Sequence, residues 1–133
     1  MTDYRIALLG AICGDIIGST REFNPTKRLD FELLPEGSRF TDDTVMTCAV
    51  AEWLMHPDTD LAESLQRWGL KYNYVGYGPM FFKWLTSKKP QPYNSFGNGS
   101  AMRVSAAGWA ANSVEEALEL AKKTAAVTHN HIE

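Results

Sequence analysis

Residues 38–57 read SRFTDDTVMTCAVAEWLMHP, and this stretch decides the fold. Val45, Cys48, Ala49 and Leu54 recur at helical spacing, and His56–Pro57 stops the run. The spacing predicts a helix over 42–55. Its start carries two adjacent acids, Asp42 and Asp43, between Thr41 and Thr44. Thr41 or Asp42 suits the N-cap, and Asp43 suits the positive end of the helix dipole. Thr41, Asp42 and Asp43 are also hard oxygen donors of the kind Mg²⁺ and Mn²⁺ prefer. Neighbours on a regular helix diverge by about 100°, but a non-helical cap residue can undo that divergence. Taken alone the stretch favours plain capping, because the helix end that welcomes acids repels a cation.

Upstream, the spacing of Ile6, Leu9, Ile12, Ile16 and Ile17 predicts a buried helix over 4–18. Ala7, Gly10, Ala11, Gly14 and Gly18 interleave small surfaces, which implies a neighbour packed closely against it. Asp15 lies inside this helix and Glu22 just beyond it, where a loop could carry Glu22 to a site beside residue 41. Residues 19–40 lack periodicity and hold turn signals at Asn24–Pro25 and Pro35–Gly37, so they read as a long loop.

Downstream, Asp58–Tyr72 reads as a helix with Asp60 and Glu63 at capping-box spacing. GYGPMFFKWL, residues 76–85, gives a turn and a short helix with Pro79 at its first position. KKPQPYNSFGNG, residues 88–99, is a loop. SAMRVSAAGWAA, residues 100–111, can be helical despite Gly108. SVEEALELAKKTAAVTH, residues 113–129, opens with Ser113 and Glu116 as a capping box. No period-2 alternation persists anywhere, so the expected class is all-α, in a single domain over 1–133.

Within NSFGNGSAMR, residues 94–103, the backbone N–H groups of a glycine turn backed by a helix start suit a phosphate or pyrophosphate. The plainer reading is a turn in which Gly97 and Gly99 take positive φ. Arg103 sits in an apolar run and could pair with an internal acid or a ligand phosphate. In THNHIE, His129 and His131 are two apart and face different ways on a helix, so a lone contact from His129 is expected. The tyrosines and Trp84 between 72 and 84 read as packed aromatics before they read as a ligand wall.

The 133 residues carry a formal net charge of −3, with 44% hydrophobic and 22% charged residues. Lys and Arg form no stripe, which argues against general nucleic-acid binding. No apolar run reaches the roughly 20 residues a membrane span needs. No basic leader precedes the first apolar run, so no signal peptide is expected. Cys13 and Cys48 read as reduced core thiols of a cytoplasmic protein.

Taken in order, GAICGDIIGSTREF, RFTDDTVMTCAVAEWL, GYG, SFGNGSAMRVS and THNH resemble the ADP-ribosylglycohydrolase family along essentially the whole chain. The resemblance implies an all-α fold with a pair of divalent metals, Mg²⁺ or Mn²⁺, in a central cleft. It implies hydrolysis of the bond between the distal ribose of ADP-ribose and an acceptor, with ADP-ribose or an ADP-ribosylated substrate as partner. By motif, Thr41, Asp42 and Asp43 match metal ligands, and Glu22, Asp42 and Asp43 match the catalytic acids. Ser95, Phe96, Gly97, Asn98 and Gly99 match the loop that cradles the diphosphate, and His129 matches a residue near the ligand. Asp15 matches a structural acid.

Two departures stand out. Family members are longer, and their second half brings an Asp-x-Asp-Thr segment that completes the metal pair; none follows here. Ala106 and Ile132 stand where proline is common. The expectation is a fragment, one half of a split enzyme, or a short homologue that dimerises, with weak metal binding in isolation. A non-catalytic binding or structural protein on the same scaffold is the alternative, since some lens crystallins resemble the family.

Overall fold

A computed structural model describes residues 4–131, with the side chains of 4–7 outside the description. The described residues form helices α1 (Tyr4–Gly18), α2 (Asp42–Met55), α3 (Leu61–Lys71), α4 (Pro79–Leu85), α5 (Gly99–Met102), α6 (Ser105–Ala110) and α7 (Val114–Ala126). They contain no strand, as the absence of alternation predicts. None of these helices is long and apolar enough to cross a membrane.

Helix α2 is the hub. It packs against α1, α3, α5 and α6, and a helix surrounded in this way must be apolar nearly all round. Val45, Met46, Ala49, Val50 and Ala51 meet that demand, and they join Leu61, Leu65, Trp84, Leu85 and Ala106 in the core. The site residues at the start of α2 therefore stand on the most firmly held element of the molecule.

Local capping sets most helix starts. Thr41 accepts from Asp43 N–H at the start of α2, and Asp60 accepts from Glu63 N–H at the start of α3. Pro79 occupies the first turn of α4. Ser113 accepts from Glu116 N–H, while the Glu116 carboxylate reaches past the cap to Asn112 N–H at 2.7 Å. Tyr72 stacks on Trp68, Phe81 stacks on Trp84, and Trp84 is buried, so these are packing groups, whereas Tyr74 is 71% exposed.

Three expectations need correction. Helix α1 is not a buried helix: Leu9 is 58% exposed and Cys13 is exposed, so Cys13 is no core thiol. One side of α1 meets α2 and α6, while Leu9, Gly10, Cys13, Gly14 and Gly18 are exposed. Ile6 and Ala7 belong to the same expectation, but their side chains lie outside the described residues. Nor do the glycines of α1 receive a close neighbour, since a Cβ at Gly10, Gly14 or Gly18 would meet nothing within 4 Å. The close approach falls instead at Gly69, where a Cβ would lie 2.6 Å from Leu85 Cδ2. Finally, residues 100–111 do not form one helix. They break between α5 and α6 at Arg103–Val104, where the Arg103 side chain turns inward to the carbonyl of Thr124 and the hydroxyl of Thr128.

Candidate functional site

The start of α2 is held from α1. The Asp15 carboxylate accepts from Thr41 N–H at 2.7 Å, Thr41 Oγ1–H at 2.6 Å, Thr44 N–H at 3.2 Å and Thr44 Oγ1–H at 2.5 Å. Helix starts leave N–H groups without intrahelical partners, and a carboxylate there is favoured by the dipole. Asp15 is thus a cap supplied from another helix, which fits its expected structural role. Thr41 is buried; its hydroxyl proton goes to Asp15, and one lone pair accepts from Asp43 N–H at 3.3 Å. A single lone pair of Thr41 remains for any further ligand.

Asp42 and Asp43 are both half-buried, and they diverge. Asp42 lines a cleft of about 340 Å³ together with Tyr93, Ser95, Phe96, Gly97, Asn98, Gly99, Arg103 and His129. Asp43 lines a second cleft of about 450 Å³ with Asp15, Glu22 and Thr47. Asn98 and Met102 border both, so the two clefts meet along α5. The loop does carry Glu22 to the Asp43 side, as its position beyond α1 suggested. Burial, then the charges of Asp43, Glu22 and Asp15, push the Asp42 carboxyl up to about 6. Burial, Asp15 and Glu22 also raise Asp43. Four acids, Asp15, Glu22, Asp42 and Asp43, crowd this end of α2.

The loop before α5 is shaped differently from its sequence. Neither Gly97 nor Gly99 takes a positive φ; Asn94 does, at 51°. Helix α5 spans only four residues, too short a stack of peptides to supply the expected dipole. What the loop does offer is backbone. Gly97 N–H bonds Ser95 Oγ at 3.3 Å, whereas the N–H groups of Asn98 and Gly99 have no partner among the described residues. Phe96 is 92% exposed at the rim, with its ring 6.0 Å from that of His131.

His129 faces the loop. Its Nε2 lies 2.8 Å from Gly97 O and its Nδ1 2.7 Å from Thr128 Oγ1. Among the described residues no three His, Cys, Asp or Glu side chains gather as a metal cluster. Arg103 is 1% exposed and finds no acid among the described residues; burial pulls its pKa down to about 10. The sequence marks Arg103 only as an ion-pair or phosphate group, marks Thr44 only as a flank of the two acids, and gives no sign of Thr47 or Thr128. A buried arginine beside an unremarkable threonine leaves no trace in spacing.

The profile of the ADP-ribosylglycohydrolase family matches residues 2–133. Among curated relatives, the mouse (Mus musculus) ADP-ribosylhydrolase ARH3 is 29% identical over 95% of this chain and 43% of its own length. The human (Homo sapiens) ADP-ribosylhydrolase ARH3 is 28% identical over 97% of this chain and 45% of its own length. That of Xenopus tropicalis is 28% identical over 95% and 44%. The chain thus spans under half the length of the relatives it matches. With a match of that extent behind the ordered motifs and the helical fold that carries them, the chain belongs to the ADP-ribosylglycohydrolase family.

Proposed function

We propose that this chain holds the ADP-ribose unit of an ADP-ribosylated substrate and contributes catalytic acids to hydrolysis of the bond between its distal ribose and the acceptor. The observation that carries the reading is the pair of unbonded N–H groups at Asn98 and Gly99, in the same cleft wall as Asp42. Backbone donors of this kind suit a diphosphate. With the diphosphate there, the distal ribose would extend toward the acids at the start of α2, and Phe96 would offer its exposed ring to the other end. The names of the relatives, which are ADP-ribosylhydrolases, support the same substrate class.

The donor set suits a hard divalent cation. The Asp42 and Asp43 carboxyls are raised by burial and by neighbouring acids, and Mg²⁺ or Mn²⁺ beside either would relieve it. Thr41 would add its remaining lone pair. Other ligands would come from water, ribose hydroxyls or protein outside these residues, since the described residues hold no three-ligand cluster. Such an ion would orient hydroxyls and acidify a bound water. The chain's own residues do the rest. Glu22, beside Asp43 in the second cleft, would hold or accept the proton of the attacking water. The neighbouring carboxylates would stabilise the oxocarbenium-like state through which glycosidic bonds break. Loop 95–99 would fix the reacting carbon against them.

The opening of Asp42 and Asp43 into separate clefts favours a second reading, in which the chain binds ADP-ribose without cleaving it. Calorimetric titration with ADP-ribose, with and without Mg²⁺, followed by a hydrolysis assay on an ADP-ribosylated peptide, separates the two. Binding with turnover supports the hydrolase; binding alone supports the second reading. No heat with ADP-ribose at millimolar concentration removes both.

A further inference from the structure

A line of hydrogen bonds runs from the core to the loop. Arg103 NH2 donates to Thr128 Oγ1 at 2.8 Å and to Thr124 O at 2.7 Å. Thr128 Oγ1 lies 2.7 Å from His129 Nδ1, and His129 Nε2 lies 2.8 Å from Gly97 O. Both ends of the line are one-way. A guanidinium only donates, and a carbonyl only accepts. The proton on the ring must therefore sit on Nε2. Thr128 has a single hydroxyl proton, and its oxygen already accepts from Arg103. Directing that proton at Nδ1 satisfies every atom of the line. A second ring proton on Nδ1 would turn it toward Ala125 O instead, at 3.5 Å, the far limit of a hydrogen bond. Thr128 is 0% exposed, so no bulk water relieves the choice.

The consequence lies in the loop. In a trans peptide the C=O of Gly97 and the N–H of Asn98 point in opposite directions. Holding Gly97 O against His129 aims Asn98 N–H away from it, and that N–H has no described partner. The same segment pins the loop further, with Tyr93 N–H and Ser95 N–H donating to Thr128 O and Asn94 N–H to the Asn130 side chain.

We propose that Arg103 and Thr128 are positioning residues that hold His129 as the neutral Nε2–H tautomer, so that His129 latches the Gly97 peptide and presents Asn98 N–H to the ligand. His129 then acts through the loop. The ligand in question rests on the ADP-ribose reading above; the latch itself does not.

The test uses the ¹⁵N-labelled 133-residue chain and long-range proton–nitrogen correlation spectra of its imidazoles, with His56→Gln, His129→Gln and His131→Gln to assign them. At a pH where the imidazoles are neutral, wild-type His129 should show the pure Nε2–H pattern. Thr128→Val should give averaged tautomers and faster amide exchange at Asn98 and Gly99, and Thr128→Ser should restore both. ADP-ribose affinity should fall in Thr128→Val by roughly fivefold to tenfold, the worth of one hydrogen bond, and recover in Thr128→Ser. Averaged tautomers in the wild type overturn the latch, as does a Thr128→Ser chain that folds without the Nε2–H pattern. Those two readings decide the matter even if Thr128→Val does not fold. A fixed tautomer with no ADP-ribose binding removes the ligand reading and leaves the latch standing. Binding with averaged tautomers does the reverse.

Discussion

Asp15 holds Thr41 at two points: its carboxylate accepts from the Thr41 N–H at 2.7 Å and from the Thr41 hydroxyl at 2.6 Å. The two residues lie on different elements, and their contact ties α1 to the start of α2. Asp15→Asn exchanges one accepting oxygen for a donating amide, so at least one of these N–H or hydroxyl groups loses its partner. Charge-assisted bonds of this kind contribute about 1.5–3 kcal/mol each. The variant should lose about 2 kcal/mol in urea denaturation, and an unchanged midpoint would show that Asp15 is not the cap of α2.

Helices α3 and α4 touch at Gly69. A methyl group there would sit 2.6 Å from Leu85 Cδ2, and Leu85 is fully buried. Overpacking of a filled core costs about 1–3 kcal/mol, which outweighs the roughly 1 kcal/mol of helix propensity that alanine returns. Gly69→Ala should therefore be destabilising or neutral by thermal melting, whereas Gly14→Ala, with open space at its Cβ, should be stabilising. The reverse order would contradict the packing described.

The Asp42 carboxyl has a pKa near 3.8 when unfolded and about 6 in the folded chain. Between those values the folded state binds the extra proton, so stability falls as pH rises from about 4 to about 6. Asp43 is shifted in the same direction. Melting the metal-free chain across this window should show the loss, and Asp42→Asn should shrink it. A pH profile identical to that of the wild type would mean Asp42 is not buried as described.

The same two acids predict a response to cations. Saturating Mg²⁺ or Mn²⁺ should raise the melting temperature of the wild type, since a ligand at 100 times its Kd stabilises by about 2.7 kcal/mol. Asp42→Asn with Asp43→Asn should abolish the rise. An equal rise in the double variant would place the cation elsewhere.

Gly97 separates binding from folding. A Cβ at this position would meet only Ser95 Oγ, at 3.6 Å, and the backbone has no positive φ that alanine would resist. Gly97→Ala should melt like the wild type. Its methyl group would project near the proposed diphosphate, so ADP-ribose affinity should fall at least about tenfold, equivalent to ~1.4 kcal/mol. Unchanged affinity with unchanged melting would move the diphosphate off this loop.

Much of this was legible in the chain. Helices α2, α4 and α7 start where Thr41, Pro79 and Ser113 predict, because a cap acts within three or four residues and leaves its signature there, whereas α3 starts at Leu61, behind its Asp60 cap, and not at Asp58 as expected. Motif order singles out Glu22, Asp43 and loop 95–99, but implies one central cleft where packing makes two adjoining ones. The glycines of α1 misled because small residues signal a close neighbour without saying whether these residues supply one.

The sequence by itself determined the helical class, most helix limits and the family, since each rests on local spacing or on motif order. Tertiary structure alone decided that Asp15 caps α2, that Gly69 and not Gly14 is the tight contact, that Asp42 and Asp43 open into separate clefts, and that Arg103 reaches the loop through Thr128 and His129. The cap, the tight contact and the Arg103 line depend on residues about 16 to 32 positions apart, and the Asp42 cleft on residues farther away still. Their approach is set by how helices pack around α2, and periodicity within a helix carries no record of it.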